Sequence, residues 1–113
     1  YRQGYGVAKD DVEASRWYRK SAEQGYAVSQ FFLGYIYEFG GDGVDKNYAE
    51  AVYWYRKSAE QGYTDGQYFL GRMYQNGYDV SQDDATAIYW YRKAAQQGHE
   101  SAQKSLNTLG KTW

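Results

Sequence analysis

Few residues in this sequence have side chains that could do chemistry. His99 is the single histidine of the 113-residue chain, and there is no cysteine. Cysteine–histidine catalysis, thiolate metal sites and disulfides are therefore excluded. A serine–histidine–aspartate arrangement would have to use His99, which takes the place that Tyr26 and Tyr63 hold earlier in the chain. We interpret His99 as a packing residue in a turn, and we predict no catalytic residue and no enzyme activity.

The glycine-rich segment from Gly40 to Gly43 is the other motif that suggests a ligand. It lacks the Gly-Lys-Ser/Thr sequence that a phosphate-binding loop requires. Asp42 and Asp45 are not accompanied by the further oxygen ligands and the closing glutamate of a calcium loop. The segment therefore predicts a turn, and we expect neither a cofactor nor a metal site.

The charge balance points away from nucleic acid and membranes. Thirteen basic residues face fourteen acidic ones, so the net charge is −1 and exerts little attraction on polyanions. No apolar run approaches the roughly 20 residues of a membrane-spanning helix. The Arg-Lys pairs at 19–20, 56–57 and 92–93 have acids nearby and are interpreted as solvated helix faces. The sequence leaves both a periplasmic and a cytoplasmic location open.

An internal repeat organises the chain. The ten residues from Trp17 to Tyr26 recur identically from Trp54 to Tyr63, and recur with small changes from Trp90 to His99. The spacings are 37 and 36 residues. Periods of this length are typical of helical-hairpin arrays, in which each repeat buries its apolar face against its neighbours.

The second helix of each repeat, helix B, has predictable ends. Its N-caps are residues whose side-chain oxygens can accept from the first turn, namely Asp10, Asn47 and Asp83. An acid three residues later predicts a capping box in two copies, at Glu13 and Glu50, and Thr86 takes that place in the third. Glycines that favour a left-handed C-terminal cap end the three helices at Gly25, Gly62 and Gly98.

The first helix of each repeat, helix A, carries apolar residues at helical spacing around Leu33 and Leu70. Gly34 and Gly71 lie in the middle of these helices, where glycine costs about 0.5–1 kcal/mol relative to alanine. A glycine that recurs at such a cost predicts a close crossing of two helices.

The repeated pattern resembles the Sel1-like repeat family, whose members are related to tetratricopeptide repeats. The matching positions are Ser29, Leu33-Gly34, Tyr37, the turn from Gly40 to Val44, Ala51, Trp54, Ser58-Ala59 and Gly62. A tetratricopeptide repeat has a period of about 34, shorter than the spacing here. The resemblance covers essentially the whole chain. It implies an all-α fold, a right-handed α-α superhelix, or solenoid, of antiparallel helical hairpins.

We expect a single repeat domain over residues 1–113. Its parts are a partial repeat at 1–26, repeats at 27–63 and 64–99, and a C-terminal capping helix at 100–113, where Leu106-Asn107 replaces Leu-Gly. Tyr1 is equivalent to Tyr37, at the end of a helix A, so the first repeat lacks most of that helix. We expect either a longer parent solenoid or self-association through this open N-terminal edge.

The resemblance implies a protein–protein interaction scaffold, often bacterial, that binds a protein or peptide on the concave face lined by the A helices. The residues predicted to point away from the core and contact the partner are Phe31, Tyr35, Glu38, Tyr68, Arg72 and Gln75. Aromatics mixed with arginine are enriched at interface hot spots. The competing interpretation is that Phe31 and Tyr68 simply pack between neighbouring A helices. Two alternative functions remain open: binding of cell-wall glycan or other carbohydrate on aromatic platforms, and a weak β-lactam-directed hydrolase activity.

Overall fold

The computed structural model describes residues 8–40 and 44–113, with side chains from residue 16 onward. Within these ranges the chain forms six α-helices. They are α1 (Ala8–Glu23), α2 (Ala27–Phe39), α3 (Tyr48–Glu60), α4 (Thr64–Asn76), α5 (Asp84–Gln96) and α6 (Glu100–Thr108). Each helix packs against the next along the chain, and α2 also touches α4. The A helices are α2, α4 and α6, the B helices are α1, α3 and α5, and the predicted all-α helical repeat fold is confirmed.

The core lies between the A and B helices of successive hairpins. Leu33, Leu70 and Leu106 occupy equivalent positions on the three A helices and are fully buried. The rings of Tyr55 and Tyr91 are buried opposite them from the B helices. Burial of such large rings supplies much of the apolar area that a chain poor in branched aliphatics would otherwise lack.

Two of the three predicted N-caps are confirmed. The side chains of Asn47 and Asp83 accept from the backbone N–H groups of Glu50 and Thr86, each at 3.1 Å. The third prediction was wrong, because α1 is already helical from Ala8 and Asp10 lies within it. The side chains of residues 8–15, among them Glu13 of the predicted capping box, together with residues 1–7 and 41–43, lie outside the described part of the chain.

The capping box predicted at Glu50 does not form. The backbone N–H of Asn47, which that carboxylate would have to reach, donates instead to the carbonyl of Tyr37 at 2.8 Å. The carboxylate of Glu50 accepts from the indole N–H of Trp54 at 3.1 Å. An acid that looks like part of a local cap therefore holds a tryptophan of its own helix.

The glycine predictions are confirmed. Gly62 follows α3 at φ +90°, and the next N–H bonds back to Ser58, as in a Schellman C-cap; Gly25 and Gly98 behave alike. A Cβ placed on Gly34 would lie 2.7 Å from the ring of Tyr55, and one on Gly71 would lie 2.8 Å from Tyr91. Both glycines therefore allow a helix to approach a buried tyrosine.

A ladder of glutamines, which the sequence analysis did not single out, holds consecutive repeats in register. The side-chain amide of Gln61 donates at 2.8 Å both to the side chain of Gln30 and to the carbonyl of Gly25. One repeat later the same pair of bonds is made by Gln97 to Gln67 and Gly62. Each of these two glutamines lies in the turn before an A helix, so the bonds link that turn to the preceding A helix and to the preceding turn.

Candidate binding face on the A helices

The A helices meet at two places, and equivalent residues line both of them. We call the contact between α2 and α4 the first junction, and the contact between α4 and α6 the second junction. Three of the six predicted contact residues meet at the first junction: Phe31 and Glu38 from α2, and Arg72 from α4. Tyr68 and Gln75 project from α4 into the second junction. Tyr35 lies on α2 beside the first junction.

Aromatic rings fill the first junction. Phe31 lies with its ring centroid 5.1 Å from that of Phe69 and 5.8 Å from that of Tyr55. Tyr35 contacts Phe69 at 5.9 Å and Phe39 at 4.7 Å. Edge-to-face and tilted pairs of this kind add about 0.5–1.5 kcal/mol to the burial of their area. The first junction is therefore a packed aromatic cluster with part of its surface open to solvent.

A buried polar network closes the same junction. The carboxylate of Glu38 accepts two hydrogen bonds from the Arg72 guanidinium, at 3.0 and 3.2 Å, and one from the Tyr55 hydroxyl at 2.7 Å. Burial raises the pKa of Tyr55 well above its usual range, and the bond to Glu38 raises it further. The guanidinium also lies 5.0 Å from the centre of the Phe69 ring. The charges of Arg72 and Glu38 thus neutralise each other inside the protein.

Two of the predicted contact residues do not point away from the core. Phe31 is 6% exposed and Glu38 is 2% exposed, because α4 covers both of them. The prediction that these two side chains are free for a partner was wrong, and the packing alternative holds for Phe31. The sequence alone could not distinguish packing from exposure, since both residues, about two helix turns apart, lie near the edge of the apolar stripe.

Open aromatic surface on α2 comes from other residues. Tyr35 is 43% exposed and Phe39, which the sequence analysis missed, is 47% exposed. Phe39 is the last residue of α2, and its position one turn after Tyr35 was the signal that could have revealed it. Together with Phe69, these rings form an apolar surface, and the Arg72 guanidinium, paired with Glu38, lies at its rim.

The second junction is built from equivalent residues but is not filled. Gln75 accepts from the Tyr91 hydroxyl at 2.6 Å, as Glu38 does from Tyr55. Burial raises the pKa of Tyr91 to about 12. Tyr68 stacks on the ring of His99 with a centroid separation of 4.6 Å. A shallow cavity of about 280 Å³ remains here, lined by Tyr68, Gln75, Ser101, Lys104, Ser105 and Thr108.

His99 has a structural role at the start of α6. Its Nδ1 accepts from the backbone N–H of Ala102 at 3.1 Å, so Nε2 is the nitrogen that donates to Asp65, also at 3.1 Å. The ring lies between this cap and Tyr68. Both nitrogens are engaged, as expected for the packing residue that the repeat predicts.

The arginines of the B helices connect neighbouring repeats. Arg19 and Arg56 donate to the hydroxyls of Tyr37 and Tyr74, each on the A helix of the following repeat. The guanidinium of Arg19 also lies 3.8 Å from the carboxylate of Glu23, one turn later on the same helix. The sequence predicted that these arginines form solvated helix faces. In the structure they also link neighbouring repeats.

Within residues 8–40 and 44–113, none of the helices combines the length and the hydropathy that a bilayer-spanning segment requires. In the same part of the chain, no three histidine, aspartate or glutamate side chains converge in a way that could hold a metal ion.

Helical hairpins stacked in one register, with an open face on the A helices, define a helical-repeat solenoid. The family model described as Sel1 repeat matches residues 1–26, 27–63 and 64–99. The chain therefore belongs to the Sel1 repeat family. Proteins of this family are generally protein-interaction scaffolds. A search of curated proteins finds no match.

Three solved bacterial structures are similar to this chain. A protective antigen of uropathogenic Escherichia coli strains, described as displaying an SLR fold, is 42% identical with a TM-score of 0.80; the match covers 92% of this chain and 21% of that one. A Sel1 repeat protein from Oxalobacter formigenes is 43% identical, with a TM-score of 0.80, over 88% of this chain and 73% of that one. Helicobacter pylori cysteine-rich protein B is 26% identical, with a TM-score of 0.79, over 92% and 76%. This chain thus spans about a fifth of the length of the Escherichia coli antigen.

Proposed function

We propose that this chain is a scaffold that binds a peptide segment of a protein partner across its A helices. The observation that carries the proposal is the continuous surface of Tyr35, Phe39 and Phe69, with Arg72 at its rim. Exposed rings packed against one another already have restricted rotamers, so a partner that covers them loses little side-chain entropy. Such a surface seats an apolar side chain of a peptide, as interface anchors do.

The environment of the exposed rings favours a peptide over a glycan. Carbohydrate binding would need flat rings that are free to stack on a sugar. On the B helices, the exposed rings of Tyr53 and Tyr89 are each covered by a lysine, with the ammonium 5.5 and 5.3 Å from the ring centre. The rings of Tyr35 and Phe39 pack against each other and adjoin Phe69, which forms an apolar surface that suits a peptide side chain.

Catalysis receives less support. The second nitrogen of His99 already donates to Asp65, while the first accepts from a backbone amide, so neither is placed to act as a general base. A hydrolase that uses the only histidine of the chain would first have to break the cap of α6.

The test is selection of peptides from a random display library on the whole chain, followed by fluorescence-anisotropy titration of the selected peptides. We expect Tyr35→Ala and Phe39→Ala each to weaken binding by roughly tenfold, as loss of a modest hot spot does. Tyr53→Ala is the matched control, because this exposed tyrosine lies on a B helix. Equal affinity of all three variants would contradict a binding face on the A helices.

The edge formed by α1 and α2 supports the separate proposal of self-association. Trp17 is 66% exposed there, whereas its equivalent Trp54 is 4% exposed because α1 and α2 cover it. Tyr26 is exposed at the same edge. We expect light scattering after size exclusion to detect dimers that disappear in Trp17→Ser. A monomer at all concentrations would contradict this proposal and leave the peptide-binding proposal intact.

A further inference from the structure

The cavity at the second junction exists because short side chains replace long ones. In the register of the repeat, Ser105 is equivalent to Phe69, and Thr108 is equivalent to Arg72. At the first junction the phenyl ring and the guanidinium occupy the space between the two A helices. At both junctions an equivalent glutamine bond links the turn before one A helix to the preceding A helix. The missing volume at the second junction therefore remains as a cavity of about 280 Å³.

The second junction also lacks the ion pair that the first junction contains. Glu38 and Arg72 neutralise each other at the first junction, whereas Gln75 and Thr108 stand at the equivalent positions and are uncharged. Among the six residues that line the cavity, Lys104 carries the only formal charge. Its ammonium makes no hydrogen bond or ion pair with the described part of the chain.

The remaining lining groups can donate hydrogen bonds. Ser101 and Thr108 contribute hydroxyls, the Ser105 hydroxyl is already hydrogen-bonded with Tyr91, and none of the six lining residues is an acid. A cation surrounded by hydroxyl donors is complementary to a carboxylate, since charge-assisted hydrogen bonds to an anionic acceptor are the strong ones. The first junction already contains its own carboxylate, Glu38, whereas the second junction has room for one from outside.

We infer that the cavity at the second junction binds an aspartate or glutamate side chain of the same partner segment whose apolar residue lies on Tyr35 and Phe39. This inference rests on the proposed peptide-binding function and specifies the chemistry of the partner. Packed helices are roughly 8–10 Å apart. An extended peptide advances about 3.3 Å per residue. The cavity lies between α4 and α6, about one and a half such spacings from α2, so the apolar and acidic residues of the partner are about four positions apart.

The test uses the random-peptide selection on the whole chain and reads the sequences that it enriches. We expect an apolar residue and an acidic residue about four positions apart. A selected peptide is then compared with its analogue in which the acid is replaced by the corresponding amide, using anisotropy at low salt. Lys104→Gln should weaken the affinity for the acidic peptide about fivefold, which is the contribution of an exposed ion pair. It should change the affinity for the amide analogue by less than about twofold. Lys93→Gln is the matched control, because this lysine lies on α5 over Tyr89.

A second variant tests the cavity without removing the charge. Ser105→Phe restores the side chain of the first junction, and we expect it to abolish the difference between the acidic and amide peptides. Circular dichroism confirms that each variant is folded. Peptides that bind with no acidic preference, or equal losses for Lys104→Gln and Lys93→Gln, would overturn the inference while the proposed function stands. Failure to enrich any peptide would overturn both.

Discussion

The first and second junctions are built on the same backbone plan but differ in what fills them. At the first, Phe31 and Phe69 pack ring against ring and the Glu38 carboxylate is buried against Arg72. At the second, Ser105 replaces the phenyl ring and a cavity remains. The glutamine ladder is the same at both junctions, so the difference shows that the side chains between the A helices decide how much space stays open there.

The largest effect that separates the junctions should come from Phe31→Ala. Removal of a buried phenyl ring costs about 3–4 kcal/mol of the free energy of unfolding. Tyr68→Ala, at the equivalent position, should cost about 1–2 kcal/mol because that ring is only half-buried. Urea unfolding followed by circular dichroism measures both, with the exposed Phe39→Ala as control. Equal costs for the two substitutions would mean that the junctions are packed alike.

Removal of the buried acid should rank next. Glu38→Ala leaves the Arg72 guanidinium and the Tyr55 hydroxyl without their shared acceptor, at a cost of about 3 kcal/mol. Gln75→Ala removes one neutral hydrogen bond to Tyr91 and should cost about 1 kcal/mol. Thermal unfolding of the two variants gives the comparison. A cost for Gln75→Ala as large as that for Glu38→Ala would contradict the account of the network.

Alkaline pH should weaken the fold through its buried tyrosines. Burial raises the pKa of Tyr91 to about 12, above the usual value of about 10. The unfolded chain therefore loses its proton first, so stability is complete below pH 10 and falls as pH rises through 12. The loss from this one group is on the order of 2 kcal/mol. Denaturant titrations at stepped pH, with Tyr91→Phe as control, measure it. If the difference in unfolding free energy between the protein and Tyr91→Phe stays constant up to pH 12, the raised pKa of Tyr91 is contradicted.

The smallest effect should come from making the second junction resemble the first. Ser105→Phe places apolar surface in the cavity and should stabilise the chain by about 1 kcal/mol. Lys104→Gln, an exposed change at the same cavity, should stay within about 0.5 kcal/mol. Both values come from urea unfolding. A clear destabilisation by Ser105→Phe would show that the space is not available for a ring.

The sequence predicted the helices and their ends well because those depend on short-range chemistry. Asn47 and Asp83 cap their helices, and Gly34 and Gly71 mark close crossings, through contacts that one repeat specifies. The N-cap at Asp10 and the capping box at Glu50 were wrong at this local level, whereas the failures on the A helices involve contacts between repeats. The burial of Glu38 depends on a partner 34 residues away.

The cavity at the second junction shows the same limit. It arises from the loss of a ring at Ser105, which becomes visible only when equivalent positions on α4 and α6 are compared in space. A pattern along one helix identifies its edge residues but not whether the next helix covers them.

The central claim is that the A helices bind the partner. Amide chemical-shift mapping by NMR, with the whole chain and a selected peptide, tests it most directly. We predict that the largest shift changes fall on α2, α4 and α6, including Tyr35, Phe39 and Ser105, while α3 and α5 change little. Largest changes on α3 and α5, around Tyr53 and Tyr89, would contradict the account.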